Sequence, residues 1–286
     1  MNIFPDGQSE QAMSQRQPIP SVHDLIDLDR YPLDQPDSAE LASVITDAHE
    51  TLDDTGVCLL PGFVRTEAVP LLVAEAESLM DQSNRQDRDD IAFGHYRHCL
   101  DTFPDSHVVH RTSSFRINHI AGDHVSAHGP LRTIYHWQQL TDFIARLTRH
   151  PVLHRVADPL LDCNVTILGP GDTHGWHYDG NHFSVTLMMQ TAEDGGRFEF
   201  YPNISNPDDD NFPAVERLYD GDREGILTPP LEAGTLNIFR GRYSLHHVTP
   251  VTGERPRIVS IVSYHQQPGM IFPAATQKNY TGRTAA

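Results

Sequence analysis

No cysteine pair in this chain has the spacing of a redox or zinc motif. The three cysteines, Cys58, Cys99 and Cys163, are odd in number and far apart. That excludes a disulfide framework and a thiolate zinc site, and it suits a reducing cytoplasm. Each sits among apolar residues, as in Val57-Cys58-Leu59, the setting of a buried and inert thiol. Long apolar runs are missing too, since nothing approaches the ~18 residues needed to span a bilayer. The N-terminus has neither the basic start nor the apolar stretch of a secretion signal; its Gln, Ser and Pro predict a disordered leader over residues 1–20. Basic charge is scarce: 21 Lys and Arg against 39 Asp and Glu leave a net charge of −18. A protein so acidic has no basic face for duplex nucleic acid or an anionic membrane. A small molecule is the expected partner.

With 286 residues, 38% of them hydrophobic, the remainder reads as one domain over 21–286. Asp37-Ser38-Ala39-Glu40 followed by Leu41, Val44, Ile45, Ala48 and Leu52 predicts a capped amphipathic helix. A short strand at Val57–Leu60 and a helix from about 66 to 80, with Leu71, Leu72, Ala76 and Leu79 on one face, come next. The polar stretch 82–90 reads as a mobile loop. A strand near 114–118 and helices near 131–148 and 151–160 complete a mainly helical part, about 37–160. From about 162 to 270 the texture changes to short β-rich runs punctuated by Gly, Pro, Asn and Asp: 164–168, 183–190, 197–201, 235–239, 245–251 and 257–264. This predicts an α+β fold, a double-stranded β-helix (jelly-roll) core with N-terminal helices packed against it. A long acidic insertion, 203–224, reads as a lid or as a solvated loop.

Histidine is abundant, at 18 residues, which prompts a search for metal-ligand spacing. His177 and Asp179, two apart, project to one face of an extended segment. His246 supplies a distant third ligand. It shares a strand face with Val248, which suits a barrel interior, whereas His247 faces the other way. Two His and one carboxylate form the facial set of non-haem Fe(II) oxygenases, with three coordination positions left open. After His246 comes Gly253-Glu254-Arg255-Pro256-Arg257 at the start of the last core strand. An arginine inside a barrel is costly unless it meets a carboxylate, and its planar fork suits the distal carboxylate of 2-oxoglutarate. Arg257 opens the apolar strand and is preferred to Arg255 as that clamp.

In this order of parts the chain resembles the Fe(II)/2-oxoglutarate-dependent dioxygenase superfamily. More narrowly it is similar to the branch of carrier-free amino-acid halogenases and their hydroxylase relatives. The segments that carry the likeness are Gly171–Asp179, Phe183–Gln190, Gly195–Pro202 and Gly234–Val251. The resemblance implies Fe(II), 2-oxoglutarate and O2, decarboxylation to succinate and CO2, and hydrogen abstraction from a small molecule, a free amino acid or derivative. The halogenases carry a small residue where this chain has Asp179, so the carboxylate favours hydroxylation over halogenation. Desaturation or cyclisation remains a reading within the same fold. A non-catalytic carboxylate-binding barrel and a zinc hydrolase are readings of other classes. His174 and Arg116 are candidate substrate contacts, and the chemistry at iron needs no separate protein acid or base.

Overall fold

The computed structural model describes residues 19–285. The expected leader lies almost wholly outside them. Seven helices, α1 (Val22–Leu25), α2 (Ala39–Asp54), α3 (Val69–Ser78), α4 (Pro130–His136), α5 (Gln138–Leu147), α6 (Phe212–Tyr219) and α7 (Ala274–Thr281), occur among them. The strands are β1 (Val57–Leu60), β2 (Asn84–Ile91), β3 (Thr112–Ile120), β4 (His154–Arg155), β5 (Cys163–Leu168), β6 (Thr173–His177), β7 (Ser184–Gln190), β8 (Phe198–Tyr201), β9 (Leu236–Phe239), β10 (Leu245–Val248), β11 (Arg257–Val262) and β12 (Tyr264–His265). Among the described residues, no helix is long and apolar enough to cross a membrane.

Ten strands make one antiparallel sheet, ordered β1-β9-β7-β11-β5-β3-β6-β10-β8, with β2 also paired to β3. The sheet curls because β3 serves both halves: Asn118 to Ile120 pair with β5, and Phe115 and Arg116 pair with β6. This is the jelly-roll core expected from the sequence. Strands β5, β9 and β11 are buried on both faces, and the two faces differ. Cys163, Val165 and Ile167 of β5, Ile258 and Val262 of β11, and Leu236 and Ile238 of β9 join the core beneath the N-terminal helices. Their alternates Asn164, Thr166, Val259, Ile261 and Asn237 face an internal cavity. With a period of two, the chain thus puts its most apolar positions against the helices and many polar ones inside the curl. Helix α2 is capped as its sequence suggests, the Leu41 amide donating to Ser38 Oγ at 3.2 Å.

Four local expectations need correction. Residues 82–90 are not a mobile loop, because β2 pairs with β3 from Asn84↔His119 to Ile91↔Thr112. Its charges are paired: Asp87 with Arg116 of β3 at 2.7 Å, Arg85 with Asp172 at 2.6 Å and Arg88 with Asp90 at 3.3 Å, and Gln86 is buried facing inward. The segment 151–160 is not helical, since Pro159 pushes Asp158 out of the helical region and the Asp158 carboxylate accepts from the Leu160 and Leu161 amides in a turn. The helix at 131–148 breaks at Trp137, whose ψ of 120° is extended. Helix α3 is shorter than 66–80, and Leu71 lies 46% exposed, off the packed face that holds Leu72 and Ala76.

Candidate metal centre and its cavity

His177 ends β6 and His246 lies directly across from it on β10. Asp179 follows β6 at a turn fixed by its amide, which donates to the Gly241 carbonyl at 3.0 Å. Gly241 is required there, because a Cβ would collide with the Asp179 carboxylate. One ligand atom from each of the three residues lies within 4.8 Å of the others. Asp179 Oδ1 is 3.5 Å from His177 Nε2, and Oδ2 is 3.5 Å from His246 Nε2. The ring orientations are held from behind: His177 Nδ1–H donates to the Gly175 carbonyl at 2.7 Å and His246 Nδ1–H to the Ser244 carbonyl at 2.8 Å. Both Nε2 atoms are left as lone-pair donors, as metal ligation needs.

Electrostatics favour the same state. Burial lowers the His177 imidazole, and the neighbouring His246 lowers it further, so it is a neutral donor. Burial works against ionisation of Asp179, but the flanking His246 and His177 outweigh it and hold the carboxyl well below its ordinary range. Ser184 Oγ–H also donates to that carboxylate. Two imidazole nitrogens and one carboxylate suit a non-haem Fe(II) ion and would leave it positive enough to bind an anionic co-substrate.

The three side chains open on a cavity of about 440 Å³ inside the curl. Arg257 lies in its wall at the start of β11, 6% exposed. Burial drops its guanidinium to about 10. Its Nε has no hydrogen-bond partner, and among the described residues no carboxylate lies within ion-pair distance. Arg255 points elsewhere and donates from Nε to the Thr191 carbonyl at 3.1 Å. His247 faces away from the cavity, stacked on Trp176 with centroids 3.7 Å apart and bonded to Glu199 at 2.7 Å. His174 is in the cavity wall, stacked on His177 at 4.1 Å and an interplanar angle of 17°, and burial keeps it neutral.

The structure does not bring Arg116 to this site. It alternates on β3 with the cavity residues Ile117 and His119, and its guanidinium meets Asp87 and Asp89 instead. Residues 203–224 contribute nothing to the described cavity wall. Helix α6 within them buries Ala214, Val215 and Leu218 against Phe93, Val108 and Val109, and Asp210 accepts from Tyr96 Oη at 2.5 Å.

The cavity is roofed by the C-terminal segment. Met270, Phe272, Thr276 and Tyr280 line it. The segment is tied down by buried Asp158, which accepts from the Phe272 amide at 2.9 Å and from Gln277 Nε2 at 2.8 Å. At its other end the Tyr280 carbonyl accepts from Asn84 Nδ2 at 3.0 Å and Gln86 Nε2 at 3.2 Å. No motif marks this segment in the sequence. The polar wall residues were detectable, because Asn164, Thr166, Thr186 and Asn237 recur at alternate positions of otherwise apolar strands.

A family model described as Halogenase D matches residues 41–279. Among curated proteins, none matches the chain. Among solved structures it is similar to SnoN, a non-haem α-ketoglutarate-dependent epimerase from nogalamycin biosynthesis, at 14% identity and a TM-score of 0.55 over 78% of this chain and 83% of that one. SnoK, a carbocyclase of the same biosynthesis, gives 13% identity and a TM-score of 0.54 over 76% and 82%. AviO1 from Streptomyces viridochromogenes Tue57 gives 15% and 0.53 over 77% and 93%. At these identities the likeness to solved structures is one of fold.

Proposed function

The chain belongs to the Halogenase D family and to the Fe(II)/2-oxoglutarate-dependent oxygenases, and we propose that it hydroxylates an unactivated C–H bond of a small molecule, an amino acid or a derivative of one. His177, Asp179 and His246 would hold Fe(II), and Arg257 would hold the distal carboxylate of 2-oxoglutarate. With O2, the loaded centre supplies an oxidant strong enough to remove a hydrogen from carbon, and 2-oxoglutarate leaves as succinate and CO2. The chain's own part is positioning. The Gly175 and Ser244 carbonyls fix the two imidazoles, Arg257 orients the co-substrate, and the C-terminal roof limits water around the reacting carbon. His174 is proposed as a contact to the substrate.

The observation that carries this reading is the buried Arg257 guanidinium, on the cavity wall and, among the described residues, without a carboxylate to neutralise it. Such a charge is tolerated where a ligand completes the pair. Hydroxylation is preferred to the halogenation of the family's description because Asp179 fills the position a halide would take, its carboxylate 3.5 Å from both imidazole Nε2 atoms. Anaerobic addition of Fe(II) and 2-oxoglutarate should give a visible charge-transfer band, and product mass should show one added oxygen with chloride present. Asp179→Gly should stay folded, hold iron more weakly and lose hydroxylation; a variant that hydroxylates as before would remove Asp179 from the ligand set.

A further inference from the structure

Beyond the three proposed ligands and Arg257, the cavity wall carries no charged side chain, yet it contains buried polar atoms with no partner. Both ring nitrogens of His119, 2% exposed on β3, are unbonded. So is Asn164 Oδ1 on β5, whose Nδ2 donates to the Leu161 carbonyl at 3.3 Å. His119 pairs across the strands with Thr166, two residues from Asn164 on the same face. Such diagonal neighbours lie roughly 7–8 Å apart, wide enough for a planar polar group between them. The Tyr280 ring, 5.3 Å from the His119 ring, closes this corner from the roof. Leu161, Ile261, Met270 and Phe272 make the surroundings apolar.

Buried polar atoms without partners in a ligand-sized cavity point to partners on the ligand. Burial holds His119 neutral, down to about 4, so its ring offers one N–H donor and one acceptor. Asn164 Oδ1 offers an acceptor. A free amino acid would bring an ammonium and a carboxylate, and nothing here is left to pair with either. Asp179 and Arg257 are taken up by metal and co-substrate in the hydroxylase reading. Nearby Arg88 and Asp90 are outside the cavity wall and satisfy each other at 3.3 Å, with Arg97 also on Asp90 at 2.5 Å.

We propose that the substrate is an uncharged amino-acid derivative, N-acylated and with its carboxyl as an amide, whose amide group is read by His119 and Asn164 beneath the C-terminal roof. The amide carbonyl accepts from the His119 ring N–H and an amide N–H donates to Asn164 Oδ1. This deepens the hydroxylase reading and rests on it.

The test uses the full chain, anaerobic, with Fe(II) and 2-oxoglutarate. The band formed before any substrate is added reports the centre alone; its absence overturns the hydroxylase reading, whatever the substrate titrations give. N-acetyl amino-acid N-methylamides and the corresponding free amino acids are then titrated, and perturbation of the band gives Kd. At least one blocked compound should bind about tenfold or more tighter than its free parent. His119→Phe and Asn164→Ala should each weaken it by about 5- to 30-fold with the starting band unchanged, and His119→Gln, which keeps a donor and an acceptor, should recover part of the loss. The proposal is overturned if free amino acids bind tighter than their blocked forms, if no blocked compound perturbs the band, or if the variants keep both band and affinity.

Discussion

Replacing Arg257 by Met exchanges a buried cation for an apolar side chain of similar reach. The guanidinium is pushed down to about 10 from its ordinary 12.5 by burial, which corresponds to roughly 3 kcal/mol of uncompensated charge at neutral pH. The sign follows from the direction. A cation whose folded-state proton is held less tightly than in the unfolded chain destabilises the fold at every pH below its folded value. Removing it should stabilise the protein without co-substrate, less whatever packing is lost, by about 1–3 kcal/mol. For a chain of this size each kcal/mol moves the melting temperature by about 2–4 °C. In the parent protein 2-oxoglutarate at 100 times its Kd should add about 2.7 kcal/mol by linkage, and in the variant that gain should vanish. Thermal unfolding of the full chain with Mn(II) as a redox-silent stand-in, with and without 2-oxoglutarate, measures both effects. An Arg257→Met protein that melts below the parent without co-substrate, yet is still raised by 2-oxoglutarate, would refute the assignment of Arg257 as an unpaired charge awaiting that ligand.

Acid should weaken the fold through His119. Its folded value of about 4 lies below its ordinary 6.5, so the unfolded chain binds the extra proton and up to about 3 kcal/mol is lost as pH falls from 6.5 to 4; denaturant midpoints across that window should flatten in His119→Phe. Arg116→Ala should leave 2-oxoglutarate and substrate affinities within twofold and cost about 0–1 kcal/mol of stability, because it removes only partly exposed ion pairs on β2; a tenfold loss of substrate affinity would return Arg116 to the site. Asp158→Ala leaves the Phe272 amide and Gln277 Nε2 without their acceptor. Limited proteolysis should then cut near 266–273 before the barrel opens, and a uniform cleavage pattern would count against a separately tethered roof.

How much of the fold and site was legible in advance depends on where the signals reside. The core strands alternate in hydrophobicity because each has a helix-facing side, and their ends are marked by Gly, Pro and Asn; strands at 164–168, 235–239 and 245–251 are visible for that reason. The His177, Asp179 and His246 cluster was visible because His177 and Asp179 are close in sequence, and because Val248 beside His246 indicates an inward face. Strand β2 was hidden because its charges are paired by residues distant in sequence, Asp87 and Asp89 with Arg116 and Arg85 with Asp172, or with each other, as Arg88 with Asp90, contacts with no trace in the local composition of 82–90. The roof was hidden for a related reason. Helix α7, with the sequence AATQKNYT, has no apolar stripe, and it is held by Asp158, more than 100 residues earlier. The side of β3 that carries Arg116, which meets Asp87 and Asp89 away from the cavity wall, was not legible, because a strand shows which residues alternate but not which face is wet.

The roof also separates two tasks along the chain. In the proposed function iron and co-substrate would be held by residues between 177 and 257, whereas part of the cavity's ceiling comes from residues 270–280. A lineage of such enzymes can therefore revise what it oxidises by changing a short terminal piece, leaving the oxidation machinery untouched. Engineers inherit the same modularity, since terminal grafts would keep the acceptor at Asp158, the Asn84–Gln86 anchors, the Ala157 amide on the Met270 carbonyl and the Arg283–Asp123 pair. The chain's single lysine, Lys278, lies exposed on that piece. A dye placed there would report, in real time, each substrate that this ceiling accepts.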